Sequence, residues 1–383
     1  MNMLSRFFRL VILCLSATAL ARASEYQPGV SGKEFDEFSQ RLYDATTKHL
    51  NQLSTEEGKV SELKGKSATA DTALAYYLIF QRSGTSRYRP AAVSLADSVL
   101  RDMKATKLGV LPIKEKDTPA GDTIIGGGPP AFGEYVATLA YIYHGEEKRE
   151  EELKYLGKVV DEFAWNENGW WAADVDVTTG QSKAPLAKPS PINKNASMVL
   201  AAGLLGEYLR KIDPPLANRL KAKAYKCLYE KILPAQEGDG FWHYSLVGKD
   251  PKNKDILGYF MLTTQFLVEL QLMTESYHDK RLTAAIQNAG AFAVKHIVPI
   301  TAPNHETPSS GHSTPNTPTH YDLATEPKRG FQLGVVLTAS RHLKEAIPII
   351  DATLPHFPTG NKGQDGAHAV CPSALTLQMM SPN

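Results

Sequence analysis

The sequence contains few cysteines: three among 383 residues, Cys14, Cys227 and Cys371. Two cysteines in the body of the chain do not make a disulfide framework, and a single Cys227–Cys371 bridge stays open. There is no CxxC pair and no His/Cys grouping with zinc spacing, so no metal and no other cofactor is indicated. Net charge is missing too. Basic residues number 42 against 41 acidic ones, a formal charge of +1 that argues against a general nucleic-acid binder. Beyond residue 23 no apolar run is long enough to cross a bilayer. The run Gly126-Gly127-Gly128-Pro129-Pro130 is not followed by Gly-Lys-Ser/Thr, which excludes a phosphate-binding loop.

What is present begins with an export layout. Arg6 and Arg9 precede an apolar stretch from Leu10 to Leu20, and small-x-small sites follow at Ala19-Leu20-Ala21 and Ala21-Arg22-Ala23. We expect residues 1–23 to be a signal peptide and residues 24–383 to form one secreted domain, a monomer without membrane or nucleic-acid partners. Loss of Arg6, Arg9 and Arg22 leaves 39 basic against 41 acidic residues, a charge of −2.

A long-range repeat then organises the chain. Apolar helical segments begin near Thr69, Pro130, Asn193, Asp255 and Gly330, at intervals of 61, 63, 62 and 75 residues. Each of the first four is followed by a more polar amphipathic helix, roughly Arg89 to Lys104, Glu147 to Phe163, Pro215 to Leu233 and Lys280 to Ile297. Another runs from Lys33 to Leu50 ahead of the first pair. Segments such as Ala196 to Leu209 are apolar around much of their circumference, as a helix buried on several sides must be. The fold expected is all-α: an (α/α) toroid of serial helical hairpins, about five to seven, with short β-stubs in the loops. An open solenoid fits less well, because its units run about 33 to 47 residues. The stubs are announced by Thr106-Lys107-Leu108-Gly109-Val110, Asn168-Gly169-Trp170-Trp171 and Asp239-Gly240-Phe241-Trp242-His243-Tyr244, each a polar-Gly turn leading to apolar or aromatic residues. The Pro/Thr/Ser-rich segment 300–327 is expected to be a lid or disordered, and the tail from Pro348 to be irregular.

In a ring of hairpins, the inner-helix N-termini and their feeding loops gather at one end. Those loops are basic: Lys64 and Lys66, then Lys183, Lys188 and Lys194, then Lys249, Lys252 and Lys254, then Lys328 and Arg329. Cations at positive helix ends are unfavourable by some tenths of a kcal/mol each, and a polyanionic ligand would offset that. Trp170, Trp171, Phe241, Trp242 and Tyr244 are candidate platforms for sugar rings. Candidate catalytic groups are His243 and Tyr244 in the third stub, Tyr259 one turn into the fourth inner helix, Asn193 and Asn195 at the start of the third, and Glu134 with Tyr135 in the second. His320 and Tyr321 are expected near Arg329. For Asn193 and Asn195 a helix-capping role is the competing reading.

The hairpins, the basic loops and the Asn193/Asn195, His243/Tyr244 and Tyr259 set resemble the (α/α)-toroid polysaccharide lyases, those acting on alginate or glucuronan above all. The resemblance implies β-elimination on an anionic uronic-acid polysaccharide. Asn193 or Asn195 with Arg329 would neutralise the uronate, His243 would be the base, Tyr259 or Tyr244 the acid, and Glu134 a protonated carboxyl partner. Lys194, Lys254, Tyr135, His320 and Tyr321 would bind substrate beside the tryptophans. Two alternatives stay open. One is an (α/α) glycoside hydrolase on an acidic or unsaturated oligosaccharide, with carboxylates drawn from Glu134, Asp174, Asp176, Asp255 or Asp322. The other is a non-catalytic glycan-binding protein.

Overall fold

The computed structural model describes residues 29–54, 60, 66–111, 131–182, 186, 191–244, 257–300, 319–322, 327–357 and 364–380. Residues 1–28, the Gly126–Pro130 run, Asp255, and Lys64, Lys183, Lys188, Lys249, Lys252 and Lys254 lie outside them. Among the described residues there are twelve α-helices: α1 Gly32–Leu53, α2 Lys66–Ser83, α3 Tyr88–Lys104, α4 Ala131–His144, α5 Glu150–Glu162, α6 Ile192–Tyr208, α7 Pro214–Cys227, α8 Leu257–Met273, α9 Lys280–His296, α10 Pro327–Ala339, α11 Leu343–Thr353 and α12 Gln364–Met379. Two short strand pairs accompany them. β1 (Trp165–Asn166) runs antiparallel to β2 (Trp170–Trp171), and β3 (Ile297–Ile300) runs parallel to β4 (Thr319–Asp322).

The helices sort by burial as their sequences require. Of the 17 residues of α6, 15 are buried, whereas α5 buries 5 of 13 and turns its charges outward. Three of the six outer helices, α1, α7 and α9, carry explicit start signals. Ser31 accepts from the Glu34 amide at 3.2 Å, Asp213 from the Leu216 amide at 3.2 Å ahead of Pro214, and Asp279 from the Arg281 and Leu282 amides at 2.8 and 3.2 Å.

Contacts between helices close a ring. α2 packs on α4, α4 on α6, α6 on α8, α8 on α10, α10 on α12, and α12 returns to α2. Outside this ring, α3 covers α2, α5 and α7 cover α4 and α6, α9 covers α8 and α10, and α11 covers α10. The sixth pair joins the two ends of the chain, with α1 lying outside α12. The fold is therefore an (α/α) toroid of six hairpins.

One expectation is corrected here. The tail beyond Pro348 is not irregular: Pro348 lies inside α11, and α12, with Pro372 inside it, is the helix that completes the ring. A proline inside a helix costs about 3 kcal/mol, but α12 buries Ala369, Val370, Ala374, Leu375 and Leu377 between α10 and α2. Tertiary burial outweighs the local penalty. The segment 300–327 is likewise anchored at both ends by the β3–β4 pair, Val298 facing His320 and Pro299 facing Tyr321 in register. Residues 301–318 lie outside the described set.

The seam between the chain's ends is held by polar clasps. Arg82 of α2 donates to the Leu377 carbonyl of α12 at 2.6 Å and to Ser39 Oγ of α1 at 2.7 Å. Tyr76 donates to the Leu50 carbonyl at 2.6 Å, and Thr46 Oγ1 meets Ser373 Oγ at 3.1 Å. Because Leu377 lies in the last turn of α12, Arg82 supplies a cation to a negative helix end. Arg82→Met is expected to cost about 2 kcal/mol, the scale for a charged donor leaving two acceptors unmet, and urea unfolding monitored by circular dichroism reads it directly. An unchanged midpoint and slope would rule out the clasp.

Candidate functional site at the N-terminal mouth of the ring

Each of the first five inner helices is followed by an outer one and α12 is preceded by one, so the chain returns between inner helices and the six inner N-termini share one end. The stubs lie there, as their sequences suggest. Gly109, Gly169 and Gly240 all adopt left-handed backbone, φ +69°, +111° and +98°, a conformation that strains other residues. β1–β2 closes the Gly169 turn, and Gln236 bridges to Trp242 across the Gly240 turn. The Trp171 amide donates to Asn195 Oδ1 at 2.9 Å, and the Ile192 amide donates to the Tyr244 carbonyl at 2.9 Å. Both stubs are thus tied to the first turn of α6.

These ties revise several assignments. Asn195 is fully buried, accepts from Trp171, lies 3.5 Å from Cys227 Sγ and donates to the Pro191 carbonyl at 3.2 Å. Its amide holds the stub and faces no open space. Trp170, Trp171 and Trp242 are buried, so they are not open sugar platforms. The Trp170 indole donates to the Leu186 carbonyl at 3.0 Å, the Trp242 indole to the Ile232 carbonyl at 3.1 Å, and Trp171 packs edge-on to Trp165 at 4.6 Å. They plug the ring between stub and helix. Tyr135 is equally internal; its hydroxyl accepts from the Leu111 amide at 3.1 Å, and burial pushes its pKa far up. His243 is 5% exposed, stands edge-on to Phe241 at 5.4 Å, and has Nε2 3.2 Å from Glu237 in the preceding turn. It shares the inward side of the stub with Phe241, as alternate residues of an extended segment do. Cys227 and Cys371 are both buried free thiols, so no bridge joins them. Lys254 lies outside the described residues, and for His320 and Tyr321 the structure gives only their backbone pairing on β4.

The remaining candidates do meet. Tyr244 stacks on Tyr259 of α8, ring centroids 5.0 Å apart and planes 27° inclined. Lys194 in the first turn of α6 places Nζ 3.1 Å from both carboxylate oxygens of Asp174 and 3.3 Å from the Ala173 carbonyl. Burial, then Tyr259, then the negative charge of Asp174 push the Tyr244 hydroxyl up to about 12. It therefore keeps its proton at neutral pH. Arg329 of α10 donates to Gln332 Oε1 at 2.7 Å, and its guanidinium carbon lies 2.6 Å from where a side chain on Gly258 would begin. The cation thus lies against the backbone of the residue before Tyr259, 3.5 Å from the Gly258 carbonyl. Asn193 is 2% exposed, and its Oδ1 has no hydrogen-bond partner. The α6, α8 and α10 sector of the mouth thus carries Lys194, Arg329 and the tyrosine stack.

A pair of acids that the sequence reading did not single out lies on opposite sides of the ring. Asp71 of α2 is 4% exposed and Glu269 of α8 is also 4% exposed. Burial pushes Glu269 up to about 8, the Gln265 amide opposes this with a 2.8 Å hydrogen bond, and the charge of Asp71 adds to it. α2 and α8 are opposite members of a six-helix ring, so this interaction spans its axis. Glu134 of α4, half-buried, joins the set: Asp71, Glu269 and Glu134 all raise the buried Cys371 thiol of α12, after burial itself. Among the described residues no group of His, Cys, Asp and Glu is placed to hold a metal ion, and no helix is long and apolar enough to cross a membrane.

No family model and no curated protein sequence matches this chain. Solved structures do resemble it. A D-mannose isomerase aligns at 12% identity and TM-score 0.54, over 91% of this chain and 97% of that one. A sugar epimerase from a ruminal bacterium gives 11%, 0.54, 89% and 98%. The unsaturated glucuronyl hydrolase of Bacillus sp. GL1, responsible for the degradation of glycosaminoglycan, gives 10%, 0.52, 91% and 95%. At such identities the likeness is one of fold, the (α/α) toroid.

Proposed function

We propose that this chain is an exported, sugar-active enzyme, a glycoside hydrolase that removes an acidic, unsaturated uronyl residue from an oligosaccharide. The reading is supported by two buried acids on opposite inner helices, Glu269 of α8 and Asp71 of α2, burial and then the charge of Asp71 pushing Glu269 up to about 8. Hydrolysis of a glycosidic bond uses such a pair, one carboxyl to protonate the leaving oxygen and one carboxylate to act as base or nucleophile. Glu134 lies in the first turn of α4 and Asp71 in the second turn of α2, toward the mouth end, while Glu269 lies deeper, in the C-terminal half of α8. Lys194 and Arg329 supply the cations an acidic sugar needs, and the glucuronyl hydrolase among the structural neighbours is known to act on such a sugar.

A lyase is the second reading, favoured by a specific feature: Tyr244 and Tyr259, beside Lys194, are placed to protonate a leaving oxygen. The base it requires has less support, since His243 is enclosed by Phe241 and Glu237. One assay separates the two. The mature chain is mixed with unsaturated uronyl disaccharides from glycosaminoglycan and alginate, and with the parent polymers, while ultraviolet absorbance is followed. Falling absorbance on a disaccharide, as the released sugar opens to a keto acid, is the expected result. Rising absorbance on a polymer gives the lyase. Flat traces on every sample would leave neither reading standing.

A further inference from the structure

The Asp174–Lys194 pair lies at the N-terminal end of α6, beside the third stub. Its lysine side chain is 18% exposed and its aspartate 42% exposed, and the stub that carries Tyr244 is tied to the same turn of α6 by the Ile192 amide, 2.9 Å from the Tyr244 carbonyl. α6 has no acidic residue in its first turn, so Lys194 adds positive charge to an already positive helix end. Asp174 is the anion that offsets it, and it reaches Lys194 from the loop after β2 with both oxygens at equal distance. Tyr244, stacked on Tyr259, is held to that same turn of α6 through its backbone, so the ion pair and the aromatic platform share one corner of the mouth. A uronic acid stacked on that platform through its apolar ring face would carry its own carboxylate to the same corner.

We propose that Asp174 is an internal stand-in for the substrate carboxylate: a uronyl residue seated on Tyr244 and Tyr259 takes over Lys194 and displaces Asp174 into solvent. The proposal rests on the acidic-sugar reading above and adds the subsite and its exchange. A half-exposed ion pair contributes little net stability, so the swap is nearly neutral for the protein. The same competition lowers the affinity for acidic sugars, because ligand must displace the resident anion. Neutral sugars gain nothing from the exchange and bind on the stack alone.

The test is calorimetric titration of the full mature chain with a saturated glucuronate-containing trisaccharide and with its carboxyl-reduced counterpart. The unaltered protein is expected to prefer the acidic form by about 10-fold, the scale of one charge-assisted contact. Lys194→Met should erase that preference while keeping the affinity for the reduced sugar, and Lys194→Arg should retain it. Asp174→Asn should tighten the acidic form by roughly 3- to 10-fold through loss of the competitor and leave the reduced form unchanged. The proposal is overturned if the unaltered chain shows no preference, if Lys194→Met keeps one, or if Asp174→Asn weakens both sugars alike. Melting temperatures of the three variants guard against misfolding, and the arginine variant keeps the test decisive if the methionine one fails to fold. Selective binding without any cleavage of unsaturated disaccharides sinks the hydrolase and spares this subsite; cleavage with charge-blind binding does the reverse.

Discussion

Glu269→Gln is expected to remove turnover while making the protein more stable at pH 8. The first half follows from chemistry. A positioned general acid contributes about 10²- to 10⁴-fold, and glutamine has no proton to give to a leaving oxygen. The second half follows from linkage. The folded-state pKa of Glu269 is raised from 4.5 to about 8, so the folded protein binds a proton that the unfolded chain has released. Its stability contribution is therefore complete below pH 4.5 and is lost as pH rises toward 8. At pH 8 that loss is on the order of 4 kcal/mol. Glutamine is neutral at every pH and still accepts from the Gln265 amide, so the variant escapes the loss. Thermal melts at pH 5 and pH 8 read the effect: the two proteins should nearly coincide at the lower pH and separate at the higher. A variant less stable at both would mean that Glu269 is only a packing group. Asp71→Asn adds a further check. The charge of Asp71 raises Glu269, so removing it should move the alkaline limb of any residual activity, and the pH at which stability falls, to lower pH.

Much of the fold was legible because it depends on periodicity. Segments apolar all round alternate with one-sided ones, and that alternation alone separates inner from outer helices. The stubs were legible through Gly109, Gly169 and Gly240, whose left-handed turns no neighbouring residue type would tolerate as easily. The sixth inner helix was not, since Pro348 and Pro372 read locally as breakers, and what overrides them is burial against α10 and α2. The site divides in the same way. Lys194, Arg329 and Tyr259 announce themselves by lying at helix starts, and Tyr244 by ending the third stub, where sequence position fixes spatial position. Asn195, Trp171 and Tyr135 lie equally near those starts yet point into the packing, and helix phase at an N-terminus is too uncertain by a residue or two to tell the cases apart. Asp71 and Glu269 did leave a signal: each is the lone acid of its inner helix and is itself buried. A charge held there must be paired, shifted or functional.

Gly133→Ala is expected to lower stability by about 3 kcal/mol, at the upper end for an overpacked helix contact, and to disturb the mouth as it does so. Alanine is favoured over glycine in a helix by roughly 1 kcal/mol, so propensity alone predicts the opposite sign. Packing decides otherwise. A Cβ on Gly133 would fall 2.4 Å from the Ser197 carbonyl carbon and 2.5 Å from its oxygen, the backbone of the adjoining inner helix. A flexible side chain could turn away, but a helix backbone cannot. α4 is flanked by α2 and α6 in a closed ring, so relief requires the ring to open on one side. Ser197 also bonds the Lys194 carbonyl at 2.8 Å, and displacing it moves the turn that carries Lys194 toward Asp174. The variant should therefore melt well below the unaltered protein and also lose part of its preference for the acidic trisaccharide. An equal or higher melting temperature would show that α4 and α6 are not in the backbone contact described, and with it the geometry that positions Lys194 would fall.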